Sequence, residues 1–242
     1  MKRVFPKKLI EICSEWDIVC EHRQNTIDAG DDISLLSVTA PCIVKHILQA
    51  APKKVLDVGC GTGYLTSLVS QNVNECWGID ASGKSIAIAK KRYASQNTVF
   101  VQTTIEDFCS PFPFDACISN MVLTSDPLFR QSLKKMHDVL SLNGHLYIMI
   151  PHPCFWPKYW NYQDEPWFNY NEEIFIEHDF SISLVKSMGT TTYIHRSLAT
   201  YIESILSVGF CIEQIEEPYP VGGVPKGYAY QYPRFLFIKC KK

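Results

Sequence analysis

Between residues 51 and 150 short apolar runs alternate with stretches of helical periodicity, the arrangement of βα units wound into a parallel sheet. The runs predict strands at 54–58, 75–79, 99–102, 116–120 and 144–150. Ser82 is placed to cap a helix reaching about residue 95, and Asp126-Pro127 offers a cap followed by proline at the first helical position. Behind that cap Phe129, Leu133, Met136 and Leu140 fall on one helical face, and Asn143-Gly144 turns the chain into the next strand. Further on, Leu198, Tyr201, Ile202, Ile205 and Leu206 form an apolar stripe that Gly209 ends. Strands near 211–215 and 235–240 follow, joined by a helix-free segment rich in proline and glycine. Such a connection suits an antiparallel pair.

Two segments stand outside the alternation. Residues 1–50 read as mainly helical, and 151–195 interrupt the pattern after the fifth strand. Half of the positions in 155–170 are aromatic, against 12% in the whole chain. That enrichment in a proline-containing, loop-like stretch argues for a packed cap. The organisation expected is therefore a helical cap over 1–50, a core over 51–150, an aromatic insertion over 151–195 and a completing helix and strand pair over 196–242.

Composition narrows the function. The 242 residues are 46% hydrophobic with a net charge of −2, enough for a sizeable core and far from the basic excess of proteins that live on phosphate backbones. Nucleic acid is not the expected partner, and Lys239, Lys241 and Lys242 read as a solvated end. No run approaches the ~18 apolar residues of a membrane helix, and the basic start Met1–Lys8 lacks the apolar stretch of a signal peptide. Ten dispersed cysteines without a CxxC pair read as reduced thiols, with no metal cluster. A cytoplasmic location is the expectation.

The chemistry concentrates in Val55-Leu56-Asp57-Val58-Gly59-Cys60-Gly61-Thr62-Gly63-Tyr64. A buried strand runs into a glycine-rich turn and then into a helix, whose free N–H groups face whatever the turn holds. The dinucleotide fingerprint GxGxxG needs glycine at 64, where tyrosine stands, and a Walker loop is absent. Asp57 at the strand end suits a cationic ligand and opposes a pyrophosphate.

On these residues the chain resembles the class I S-adenosylmethionine (SAM) methyltransferases, in particular the small-molecule "type 11" group, over roughly 51–150 and more loosely over 196–242. The resemblance implies an α/β, Rossmann-like fold: a seven-stranded, mostly parallel sheet with a reversed last strand and helices on both faces. It implies SAM as cofactor and S-adenosylhomocysteine (SAH) as product. Gly59, Cys60, Gly61 and Gly63 would form the turn under the methionyl part, with Asp57 near its amino group. Asp80 would accept hydrogen bonds from both ribose hydroxyls, and Ala81 would lie against adenine. The usual adenine-edge aspartate is missing, for Thr104-Ile105-Glu106-Asp107 stands there, so Thr104 and Ile105 are only candidates. Asn120 and Met121 would sit beside the methyl donor.

Methyl transfer from a sulfonium needs alignment more than a base. His152, directly after the fifth strand, is the candidate base, or else a histidine that fixes its loop. Trp156, Tyr159, Trp160 and Trp167 could stack on a planar acceptor or surround a cation. Tyr193 and His195 are further candidates, and His178 reads as exposed. Trp16, Arg23 and Thr26 lie where an N-terminal cap would cover SAM. The expected acceptor is a small molecule attacked through nitrogen, oxygen or carbon. An RNA or protein methyltransferase and a non-catalytic SAM-binding protein are the alternatives. A basic groove would favour the first, and a blocked acceptor cavity the second.

Overall fold

The computed structural model describes residues 1–182, 185 and 189–242; residues 183, 184 and 186–188 of the aromatic insertion lie outside the described residues. The chain begins with a short strand β1 (Lys2–Val4), helix α1 (Leu9–Asp28), a π-helical turn (Ser34–Thr39) and α2 (Ala40–Ala50). The alternating core follows as β2 (Lys54–Val58), α3 (Tyr64–Ser70), β3 (Glu75–Asp80), α4 (Gly83–Tyr93), β4 (Thr98–Gln102), β5 (Phe114–Asn120), α5 (Phe129–Val139) and β6 (Leu140–Pro151). The insertion carries α6 (Trp156–Tyr159), β7 (Ile174–Asp179) and β8 (Thr190–His195). The chain then completes the core with α7 (Leu198–Ser207), β9 (Cys211–Glu216) and β10 (Phe235–Lys241).

The seven-stranded sheet has the order β4-β3-β2-β5-β6-β10-β9. Its strands β2 to β6 are mutually parallel, and β10 runs antiparallel to β6 and β9. This is a Rossmann-like sheet with the last strand reversed. Side chains alternate between two buried layers, as the period of a strand dictates. Leu56, Cys117, Ile148 and Ile238 face α5 and α7, whereas Val55, Ile118, Tyr147 and Phe237 face α2 and α3.

Three features differ from the sequence expectation. The insertion is not loop-like throughout: β7 and β8 pair, and β1 adds to β7, giving a three-stranded antiparallel sheet. Residues 1–50 are correspondingly not purely helical. The helix expected right after Asp126-Pro127 starts at Phe129 instead. The Asp126 carbonyl, which would begin that helix, accepts from Arg196 Nη2 at 2.8 Å, and its carboxylate accepts from the Leu128 N–H at 2.7 Å.

Arg196 joins the small sheet to the core. It is 1% exposed and donates to the Leu123 carbonyl at 2.7 Å, to Asp126, and to Glu173 Oε2 at 2.5 Å. Its guanidinium carbon also stands 4.0 Å from the Phe129 ring centre. Helix α1 is latched at both ends of this assembly. Glu15 accepts from the Thr192 N–H of β8 at 2.7 Å, while Asp17 accepts from the Ser82 hydroxyl at the start of α4. The small sheet and α1 thus form a roof over the C-terminal ends of the parallel strands, where ligands bind in open α/β sheets.

Replacing Arg196 by methionine strands two carbonyls and a carboxylate, so the Arg196→Met variant should lose about 3–5 kcal/mol. Urea unfolding followed by circular dichroism measures this directly. A loss below about 1 kcal/mol would show that the roof is held some other way.

Candidate active site

The turn after β2 is built for close approach. Gly59 has φ +67°, and a Cβ there would collide with the Val122 side chain. The Gly59 and Cys60 N–H groups both donate to the Ile79 carbonyl, at 2.8 and 3.0 Å, which ties the turn to the neighbouring strand. Gly61 is the opposite case: φ is +55°, and a Cβ would meet nothing within 4 Å. The space it leaves open belongs to a cavity of about 290 Å³, at the lower end of the ~300–1,000 Å³ of small-molecule sites.

Two carboxylates line this cavity, Asp57 buried and Asp80 half-buried. Asp80 accepts from the Gly61 N–H through Oδ2 and from the Ser82 N–H through Oδ1, both at 2.8 Å. Burial pushes its pKa up, and the two N–H donors pull it partly back. Asp57 accepts from the Thr66 hydroxyl at 2.6 Å, and burial raises its pKa to about 7. Ala81, Thr104, Ile105, Asn120 and Met121 line the same cavity, joined by Trp16 and Arg23 from α1. Asn120 Oδ1 is buried there without a hydrogen-bond partner. Met121 holds φ +66°, a left-handed conformation costing a non-glycine residue roughly 1–2 kcal/mol, of the kind that clusters at functional sites.

The other wall is aromatic. Trp156, Trp160, Tyr193, Phe180, His178 and Arg234 line it. Trp156 lies tilted against Trp160 and Phe235, at 5.7 and 6.1 Å between ring centres. Gly63, by contrast, caps α3 against Ala89 and Phe100 and does not line the cavity.

Five expected site residues point elsewhere. His152 is 4% exposed and does not line the cavity. Its Nε2 meets Glu217 at 2.9 Å and its Nδ1 accepts from the Cys154 N–H at 3.2 Å, so it fixes its loop. Tyr159 donates its hydroxyl to the Tyr232 carbonyl. Trp167 stacks on Tyr162 at 5.9 Å. His195, wholly buried, meets the Tyr170 carbonyl through Nε2 at 3.1 Å. Thr26 bonds its hydroxyl to the His22 carbonyl within α1 and is not part of the wall.

The reverse errors are as informative. His178 is half-buried and lines the cavity, 5.1 Å from Trp160. Its Nδ1 donates to the Asp179 carbonyl at 3.1 Å, which leaves Nε2 as an acceptor, and burial lowers its pKa. Glu106 and Asp126 both accept from the Ser132 hydroxyl. One hydroxyl proton cannot serve two carboxylates, and burial raises Asp126 to about 6, so Asp126 is the natural holder of the second proton. No spacing signal marks these groups. Among the described residues, folding also gathers Cys42, His46 and Glu216 with ligand atoms within 4.8 Å of one another, a cluster the dispersed sequence positions do not show. Lys45 and Gln214 already engage that glutamate.

Comparison with known proteins bears directly on this cavity. Residues 55–144 match the family model described as a methyltransferase domain. A Bacillus subtilis methyltransferase is 28% identical over 51% of this chain and 47% of its own length. A ubiquinone biosynthesis O-methyltransferase of Actinobacillus pleuropneumoniae is 37% identical over 42% of this chain and 49% of its own. The chain thus spans about half the length of these curated relatives. Among solved structures, a Listeria monocytogenes protein assigned as a SAM-dependent methyltransferase superposes with a TM-score of 0.68 at 26% identity, covering 83% of this chain and 95% of that one.

Residues 55–144 carry a methyltransferase domain.

The cofactor of such a methyltransferase domain is SAM, and the cavity has the chemistry an adenosyl sulfonium requires: a buried and a half-buried carboxylate, an acceptor without a partner at Asn120, and open space at Gly61. The Asp57 shift has a definite sign. Between the ordinary carboxylate value and about pH 7 the folded, ligand-free domain holds a proton that the unfolded chain has lost. Stability therefore falls as pH rises through that window, and a cationic ligand that favours the ionised form binds more tightly as pH rises. Asp80 and Asp126 are shifted the same way, so Asp57→Asn should remove only part of the slope. Thermal melts from about pH 5 to pH 8 check the first statement, and calorimetry with SAM over the same range checks the second.

Proposed function

We propose that this protein transfers the methyl group of SAM to a small, planar acceptor bound beneath the β1–β7–β8 roof. The observation that carries the reading is the continuity of one cavity: the Gly59–Gly61 turn with Asp80 forms one part of its lining, and the Trp156–Trp160–Tyr193 wall forms another. In this reading Asp80 holds the two ribose hydroxyls and Ala81 lies against the adenine. Thr104 and Ile105 border the adenine edge. Asp57 and the unpartnered Asn120 Oδ1 would receive the ammonium, and Arg23, already paired with Asp32 at 3.3 Å, would be the cation for the methionyl carboxylate.

Bound SAM supplies a methyl group on a sulfonium whose departure leaves a neutral thioether. The protein then has to hold the acceptor in line and keep water out, which in well-oriented cases is worth about 7–11 kcal/mol. The roof does the second task, covering the strand ends with Trp16, Phe180 and Tyr193. Where the acceptor must lose a proton, His178 Nε2 is the group placed to accept it, replacing His152 in that role. The enclosed aromatic room and the net charge of −2 support a small acceptor over RNA or a protein side chain. The open room beside Met121 supports catalysis over cofactor binding alone. The choice among nitrogen, oxygen and carbon acceptors belongs to the screen below.

Calorimetric titration with SAH and with NAD tests the cofactor half. SAH should bind and NAD should not. Asp80→Ala removes two charge-assisted hydrogen bonds and should weaken SAH about 10- to 100-fold. Absence of SAH binding to the native protein would overturn the reading, and transfer of labelled methyl from SAM to a panel of small phenols, amines and acids would establish the acceptor.

A further inference from the structure

Arg234 is a cation without a counter-ion. Among the described residues no carboxylate lies within ion-pair distance of its guanidinium, although Arg23, Arg92 and Arg196 each have one. Its guanidinium donates from Nη1 to the Ala229 carbonyl at 3.0 Å, and its Nε is buried without a partner. Ring faces surround it instead: the guanidinium carbon stands 4.6 Å from the centres of both Tyr159 and Tyr228, and 6.0 Å from Trp156. The residue is half-buried, and a donor held out of water without a partner, as its Nε is, is unfavourable unless something completes it.

The second observation is independent. Trp160 Nε1, also lining the cavity, is another buried donor with no partner. The acceptor wall therefore holds two unsatisfied donors, one of them on a full positive charge, set among flat rings. Neither a cationic nor a purely apolar acceptor would satisfy them.

From this geometry we infer that the acceptor is a planar carboxylic acid, its ring lying against Trp156 and Tyr193 and its carboxylate taken by Arg234 and Trp160. The inference rests on the methyl-transfer reading and names the acceptor class for that same cavity. The methionyl carboxylate of SAM is the rival anion, and position separates the two. The cofactor turn follows β2 and Asn120 ends β5, whereas Arg234 precedes β10, two strands beyond β5 in the sheet order. At ~4.8 Å per strand that places the arginine about 10 Å to the acceptor side.

The test uses the full chain saturated with SAH, titrated with 2-naphthoate and with its neutral analogue 2-naphthamide. The native protein should prefer the acid by about tenfold or more, as a charge-assisted hydrogen bond implies. Arg234→Gln should erase the preference, Arg234→Lys should restore part of it, and Trp160→Phe, which keeps a ring and loses the N–H, should weaken the acid severalfold. SAH affinity should be unchanged in all three, which also shows that they fold. Equal binding of acid and amide by the native protein, or binding of neither, overturns the inference even if a variant is unstable. A tenfold loss of SAH affinity in Arg234→Gln overturns it as well, by giving the arginine to the cofactor. Failure of the native protein to bind SAH would instead sink the methyl-transfer reading.

Discussion

The buried guanidinium of Arg196 is the contact on which the site depends. A parallel sheet closed by helices presents its strand ends to water, and a shallow depression there would not exclude solvent. Arg196 sits one residue beyond β8 and donates to carbonyls of the loop after β5. Its partners include Asp126, whose own side chain reaches Ser132 and through it Glu106. One side chain thus fixes the distance between the roof and the floor. It also explains why the α5 helix begins late: the carbonyl that would start it has another donor.

The floor itself works through electrostatics held out of water. Asp57 is buried and Asp80 half-buried, and their desolvation is only partly offset by Thr66, Gly61 and Ser82. Such a floor resists ionisation, holding Asp57 protonated up to about pH 7, and a cation favours the ionised form. The acceptor wall has the opposite character, with Arg234 and Trp160 as unfilled donors. Polarity therefore changes sign across a single cavity, matching a cofactor that arrives positive and an acceptor inferred to arrive negative.

The core was legible because its signals are local. A strand buried on both faces writes a continuous apolar run, Asp57 and the Gly59–Gly63 run mark the turn after it, and Asp80 stood out through the family resemblance. The acceptor wall was half legible. Aromatic enrichment over 155–170 marked Trp156 and Trp160, but composition cannot tell a ring that faces a ligand from one that packs inward, as Trp167 and Tyr159 do. His152 misled because it directly follows a strand, and position along the chain does not show that Glu217 claims its imidazole. Arg196, Arg234 and His178 left no trace, since their meaning comes from partners far away in sequence. The strand β7 was hidden by its charged end at Glu177 and Asp179, β8 by a start of three threonines that lacks an apolar alternation, and β1 is too short for a period to register.

The three-stranded sheet has a consequence for the history of each molecule. Its pairing joins residues 2–4 to 175–177, so the amino-terminal strand and the helix behind it leave the ribosome long before their partners exist. The alternating core, rich in near-sequence contacts, can assemble during that wait, while the closing of the roof demands one of the longest loops the chain can form. Because Arg234 and Phe235 at the start of β10 also line it, the ligand chamber cannot be complete until the last strand is in place, and the newborn chain carries exposed aromatic surface until then.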